Sequence, residues 1–362
     1  MTTKKFLLPI LLTTFVSLNS PSQIMEDPNI STSMAQAEQL SLTQEWDKVF
    51  PKSSKVDHKK VTFVNRYGIT LAADMYIPRG VEGKLPAIAV SGPFGAVKEQ
   101  SSGLYAQQLA ERGFLTIAFD PSFTGESGGM PRRVASPDIN TEDFSAAVDF
   151  LEVQPNVDTD RIGVLGVCGW GGIAIQAAIN DPRIKATVAS TMYDMTRAAA
   201  NGYYDVDNSA EKRNALRAAL ANQRTEDYKN RSYQRAGGVV DPLPDDAPQF
   251  VKDYHAYYKT PRGFHQRSGN STDGWNTTSN LPFMNFKFFE YADELQSAVM
   301  IVHGENAHSL YFGQDTFKKL RGDNKELLII ADANHVDLYD NLEKIPFDQI
   351  ATFYTRWMAK SE

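Results

Sequence analysis

Ile162-Gly163-Val164-Leu165-Gly166-Val167-Cys168-Gly169-Trp170-Gly171-Gly172 runs from an apolar segment into a glycine-rich turn, and the residues after it are rich in alanine. This pattern predicts a buried strand over Ile162 to Val167, a sharp turn, and a helix over Gly172 to Asn180. A turn this tight lifts one side chain above the sheet, and it needs small neighbours because the backbone is crowded there. The start of the helix favours negative charge, which acidifies a thiol and steadies an oxyanion. Counted forward from the strand, the lifted side chain is Cys168, the only cysteine in the chain. The plain alternative is a helix start with a buried, inert thiol.

Strand and helix signals alternate outward from that turn. Lys60 to Val64 and Ile69 to Ile77 alternate like a hairpin around Tyr67-Gly68. Leu85 to Val90, Phe114 to Phe119 and Ile184 to Ala189 read as buried strands, with helices over Leu104 to Arg112 and Thr141 to Val153. The expected fold class is α/β, a mostly parallel sheet flanked by helices. The rhythm breaks at about Ser190. Residues 191–294 hold polar helices, loops rich in Pro, Gly and Asn, and many aromatics, and they read as an inserted helical cap. Strand signals return at Val299 to His303 and Glu326 to Ile330, before a last helix from Ile345 to Met358.

The expected organisation is a signal peptide over 1–22, a polar N-terminal tail over 23–55 with one short helix around Met34 to Phe50, a core in two parts (56–190 and 295–362), and the cap between them. Lys4 and Lys5 ahead of an apolar run from Phe6 to Leu18, then Ser20-Pro21-Ser22, have the layout of a secretory signal, so export to the periplasm or medium is expected. No stable membrane anchor is expected. With 362 residues, a formal charge of −7 and no later basic block, nucleic acid is a poor partner. The six histidines do not fall at metal-ligand spacings, and no phosphate or dinucleotide fingerprint occurs, so neither metal nor cofactor is expected. The expected partner is a small molecule.

His335 lies in a loop after the last strand, where a histidine can reach the turn and act as general base. Two carboxylates could orient it, Glu305 after the Val299 strand and Asp194 after the preceding one. The oxyanion site calls for backbone N–H groups of Gly169 and of the Ser91-Gly92-Pro93-Phe94-Gly95 loop, with Phe94 in place, and Trp170 beside them is expected to contact substrate. The charged Val97-Lys98-Glu99-Gln100 that follows reads equally well as a solvated helix start.

These motifs, with Phe119-Asp120-Pro121, Gly125-Glu126-Ser127-Gly128-Gly129, Tyr258 to Arg262, Gly274-Trp275 and His335 to Asp340, span nearly all of the chain after the signal. Together they resemble the dienelactone-hydrolase-like α/β hydrolases, in the branch that groups bacterial YcjY with fungal polyketide transferases. The resemblance implies the α/β-hydrolase fold and cleavage of an ester, lactone or thioester by a nucleophile, His335 and an acid. It places Cys168 as nucleophile, but counting back from Gly171-Gly172 puts Trp170 at that position instead. Three functions stay open: a Cys-His-acid hydrolase, an acyltransferase on the same site, and a non-catalytic binder with Trp170 plugging the nucleophile position.

Overall fold

A central sheet of eight strands carries the fold, in the order β1-β2-β4-β3-β5-β6-β7-β8. The computed structural model describes residues 37–359. The expected signal peptide and the first part of the expected tail lie outside the described residues. The strands are β1 (Val56–Val64), β2 (Thr70–Pro78), β3 (Leu85–Ser91), β4 (Leu115–Phe119), β5 (Val157–Val167), β6 (Ala186–Ser190), β7 (Ala298–Gly304) and β8 (Lys325–Ile330). The hairpin β1–β2 and the pair β2–β4 are antiparallel, and every pairing from β4 to β8 is parallel.

Strands β3, β4, β6 and β7 are buried along their whole lengths, and β5 is buried from Ile162 to Val167, which is why they read as near-continuous apolar runs. Helices cover both faces. On one face lie α2 (Pro137–Glu152) and α3 (Gly169–Asn180), packing Phe144, Val148, Leu151 and Ile173 against the sheet. On the other lie α1 (Ser101–Ala110) and α10 (Phe347–Trp357), packing Tyr105, Leu109, Ile350 and Phe353. The start of α2 follows from its sequence: the Ser136 hydroxyl accepts from the Ile139 N–H, Pro137 opens the helix, and Asp138 faces its positive end.

Between β6 and β7 the chain leaves the sheet. It forms α4 (Met195–Asn201), α5 (Ala210–Asn230), α6 (Gln249–Tyr258) and α7 (Asn280–Asn285) with long loops among them. Three further helices belong to the core: α8 (Leu310–Lys319), the short α9 (Asp337–Asp340), and α10.

The helix expected around Met34 to Phe50 does not form over 37–50. Several polar groups of this segment find partners on the domain instead of in a helical ladder. The Thr43 N–H donates to Glu126 (2.6 Å) and Asp47 accepts from Arg267 (2.6 Å).

Candidate active site

Strand β5 ends at Val167, and α3 begins at Gly169. Cys168 is the single residue between them, with φ 59° and ψ −127°. A non-glycine residue rarely holds a positive φ, and its cost is accepted only where the surroundings fix it. They do so here. The Cys168 N–H donates to Ser190 O (2.9 Å), while its carbonyl accepts from Gly171 (2.9 Å) and Tyr193 (3.1 Å). Gly166 permits the turn sterically: a Cβ there would stand 2.0 Å from the Trp170 carbonyl oxygen.

The Cys168 side chain enters a cavity of about 220 Å³ whose walls include Phe94, Tyr193, Met195, Tyr254, Trp275 and Tyr339. Trp170 is not among them. It belongs to the first turn of α3, is 2 % exposed, and sets its ring edge-on to Phe144 (5.9 Å) and Phe119 (6.3 Å) in the core. The expectations that Trp170 contacts substrate or plugs the nucleophile position are therefore corrected. The backbone turn places residue 168 at its tip and sends residue 170 down towards the sheet.

Burial pushes the Cys168 thiol above its ordinary value. Four donors oppose that effect: the Tyr339 hydroxyl, the Gly169 and Phe94 N–H groups, and the Tyr254 hydroxyl. The two N–H groups expected to form an oxyanion site are thus among the groups that favour the thiolate.

His335 is 1 % exposed, on the loop between β8 and α9. Its Nε2 meets the Tyr339 hydroxyl at 3.1 Å. The same hydroxyl also favours the Cys168 thiolate, so Tyr339 neighbours both the thiol and the imidazole. Nδ1 faces two hydroxyls, Ser309 Oγ at 2.6 Å and Thr191 Oγ1 at 2.8 Å. Burial holds His335 well below the ordinary histidine value, and its neighbours His308 and His303 add to the effect.

Neither expected carboxylate orients His335. Glu305 is exposed and accepts from the Asp332 N–H (3.2 Å). Asp194 caps α4, accepting from the Thr196 and Arg197 N–H groups (3.0 Å each) and from the Thr196 hydroxyl (2.6 Å). Their demands are met locally, and Thr191 after β6 and Ser309 after β7 occupy the places at the imidazole. Sequence reasoning missed Thr191, Ser309 and Tyr339. The one available signal was the spacing of Tyr339 four residues after His335, which puts both on one face of a helical turn.

Val97-Lys98-Glu99-Gln100 is not a solvated helix start. Lys98, Glu99 and Gln100 are fully buried. The Lys98 ammonium sits among Glu99 (2.6 Å), Asp120 (2.8 Å) and Glu126 (2.6 Å). Burial works against its charge, but the carboxylates outweigh that and hold its pKa well above the usual lysine value. Those three acids cluster closely enough to hold a cation, and Lys98 provides it. Farther along the same loop, Phe94 O accepts from Asn270 Nδ2 (2.7 Å) and Gly95 O from the Asn270 N–H (3.0 Å). The loop carrying the Phe94 N–H is thus fixed from the core and from the insertion.

Residues 67–337 match the family described as X-Pro dipeptidyl-peptidase (S15 family). The chain is 56 % identical over 320 residues to the uncharacterized protein PA2218 of Pseudomonas aeruginosa, covering 87 % of this chain and 85 % of that one. The PA2218 crystal structure superposes with a TM-score of 0.86 over 88 % of this chain and 99 % of that one, at 54 % identity. YcjY of Escherichia coli is 36 % identical over 293 residues, 78 % of this chain and 93 % of YcjY. A thiohydrolase, aneE of Aspergillus aculeatus, is 35 % identical over 132 residues, 36 % of this chain and 41 % of aneE. The α/β hydrolase GrgF of Penicillium shares the fold alone: TM-score 0.69 at 19 % identity, over 84 % of this chain and all of that one. The eight-stranded sheet with its β5-to-α3 turn is an α/β-hydrolase fold, and the chain belongs to the X-Pro dipeptidyl-peptidase (S15) family, beside YcjY.

Proposed function

We propose that this protein cleaves an ester, lactone or thioester through Cys168, in the manner of dienelactone-hydrolase-like enzymes. The observation that carries the reading is the positive-φ cysteine at the tip of the turn, on the wall of a cavity, with the Phe94 and Gly169 N–H groups favouring its thiolate. The thiol and His335 both rest neutral at pH 7, because burial raises the first pKa and lowers the second. On attack, Sγ bonds to the carbonyl carbon. The thiol proton passes to the Tyr339 oxygen as the Tyr339 proton passes to His335 Nε2. The new oxyanion takes over the N–H groups of Phe94 and Gly169. The bond to the leaving group then breaks, and His335 returns the proton to it through Tyr339. Water, activated by the same route, releases the acid and restores the thiol.

Thr191 and Ser309 replace a carboxylate at Nδ1, so the imidazolium is steadied only by hydroxyl dipoles. This supports chemistry on activated acyl groups, such as the thioesters implied by the aneE name. Acyl transfer is a second reading, favoured by the thiol's 7 % exposure, which would shield an acyl-enzyme from water. Products formed with and without added alcohols or amines separate the two.

The decisive test is acid-quenched mass spectrometry after mixing with p-nitrophenyl acetate. An acetyl group is expected on the Cys168 peptide, and Cys168→Ala is expected to lose at least about a thousandfold in kcat/KM. Full turnover by a folded Cys168→Ala protein would end this reading.

A further inference from the structure

A second cavity of about 620 Å³ adjoins the one that holds Cys168. Phe94, Met195, Ala198, Tyr203 and Trp275 line both. Met195 is the softest part of this shared wall, because its unbranched thioether changes rotamer readily. The larger cavity falls in the range of small-molecule sites. Beyond the shared wall, Ala199, Ala215, Leu216 and Phe283 give it an apolar stretch.

Three charged side chains line this cavity: Asp207, Lys212 and Arg213. Lys212 and Asp207 pair with each other at 2.8 Å and cancel. Arg213 does not pair. Its guanidinium is held through one nitrogen, Nη1, by two neutral oxygens, Asn208 Oδ1 at 2.7 Å and Asn201 Oδ1 at 3.1 Å. Among the described residues, Nε and Nη2 make no hydrogen bond and no carboxylate neutralises the charge. That free edge carries the parallel pair of N–H groups that binds a carboxylate bidentately. The Asn pair fixes the group in place, so little ordering would remain for a ligand to bring about.

We propose that the acyl chain of the substrate lies in this larger cavity and ends on Arg213, so that the preferred substrates are monoesters or monothioesters of dicarboxylic acids. The inference rests on Cys168 as the nucleophile. The apolar wall takes the methylene chain, and the guanidinium takes the terminal carboxylate.

The test compares p-nitrophenyl monoesters of dicarboxylic acids with neutral esters of equal chain length, such as hydrogen suberate against octanoate, over a series of lengths. At the best length the acid-ended ester is expected to lead by about tenfold in kcat/KM, the effect of one charge-assisted hydrogen-bond pair. Arg213→Gln is expected to erase that ratio. Arg217→Gln, which removes the same charge from an arginine of the same helix outside the cavity, is expected to keep it. Equal or better use of the neutral ester at every length, or a ratio that survives Arg213→Gln, would overturn the proposal. Calorimetric binding of suberic acid monoamide and octanamide to Cys168→Ala separates the two assignments. Arg213-dependent preference for the acid there, with turnover intact in Cys168→Ala, would leave the cavity assignment standing and remove the nucleophile. A turnover-dead Cys168→Ala with no such preference would do the reverse.

Discussion

The Tyr339 hydroxyl meets His335 Nε2 and favours the Cys168 thiolate, so a single oxygen atom neighbours both groups. Tyr339→Phe keeps the ring, which packs against Tyr257 at 5.2 Å and Tyr258 at 6.1 Å, and removes only the hydroxyl. If the proton travels through that oxygen, kcat/KM should fall by about a hundredfold, within the usual range for general acid–base catalysis. The melting temperature should scarcely move. The pH profile gives a second reading. His335 must be neutral to accept a proton, and its value lies well below the ordinary 6.5 because it is buried. The acid limb of kcat/KM should therefore sit below pH 6.5 in the wild type. An acid limb at or above that value would argue against His335 as the base. Cys168 and His335 were legible in sequence because each stands at a fixed place relative to a strand end. Thr191, Ser309 and Tyr339 were not. Hydroxyl residues are common in loops, and these acquire a role only when the loops after β6, β7 and β8 pack on one imidazole. The wrong choice of acid has the same cause: sequence shows which loops carry carboxylates but not which of them are satisfied locally.

The turn between β5 and α3 depends on the absence of a side chain at Gly166. A methyl group there would meet the Trp170 carbonyl at 2.0 Å, and that carbonyl cannot move without unwinding the first turn of α3. Gly166→Ala should destabilise the fold by several kcal/mol, roughly 2 or more for an overpacked backbone contact, and should reduce acylation of Cys168 beyond the loss of folded protein. Urea denaturation and active-site titration check the two parts. The strands and the helices α1, α2, α3 and α10 were readable because apolar periodicity is a local signal. Helix α8 was not, although it buries Phe312, Gly313 and Thr316. A glycine in its middle masks the pattern. Gly313 is there for a tertiary reason: a Cβ at that position would stand 2.4 Å from the His303 ring. The ambiguity at Trp170 was of another kind. Residue spacing alone allowed two registers for the turn, and the backbone dihedral of Cys168 with the core packing of Trp170 separates them.

At the scale of the molecule, a buried charge network joins segments far apart in the chain. Lys98 holds Glu99, Asp120 and Glu126. Glu126 also takes Lys60 from β1 and the Thr43 N–H, and Arg267 from the insertion reaches Glu99 (2.8 Å) and Asp47 (2.6 Å). Removing one partner from such a group strands the others without water. Lys98→Met should cost about 3–5 kcal/mol in urea unfolding, the usual result of breaking a buried ion pair. It should also lower kcat, because the loop bearing the Phe94 N–H loses its anchor. The histidines give the molecule a second global property. Burial lowers His265 and His335, takes His308 down to about 4, and takes His303 down to about 3. Unfolded, each would titrate near 6.5. Below that pH the unfolded chain binds protons that the folded chain refuses, so stability falls as pH falls towards the folded values. Asp143 works the other way. Burial raises it to about 6, so its folded form takes up a proton before the unfolded form does and gains stability in acid. Asp120, Asp194 and Glu142 are raised by burial in the same sense. The four histidines act from about 6.5 on acidification, whereas Asp143 is raised only to about 6. The melting temperature should therefore drop between pH 7.5 and 6, and His308→Gln, by removing one of the four, should make that drop shallower. A melting temperature that holds steady or rises over this interval, measured by calorimetry at constant ionic strength, would mean that the buried imidazoles are not held neutral by the fold.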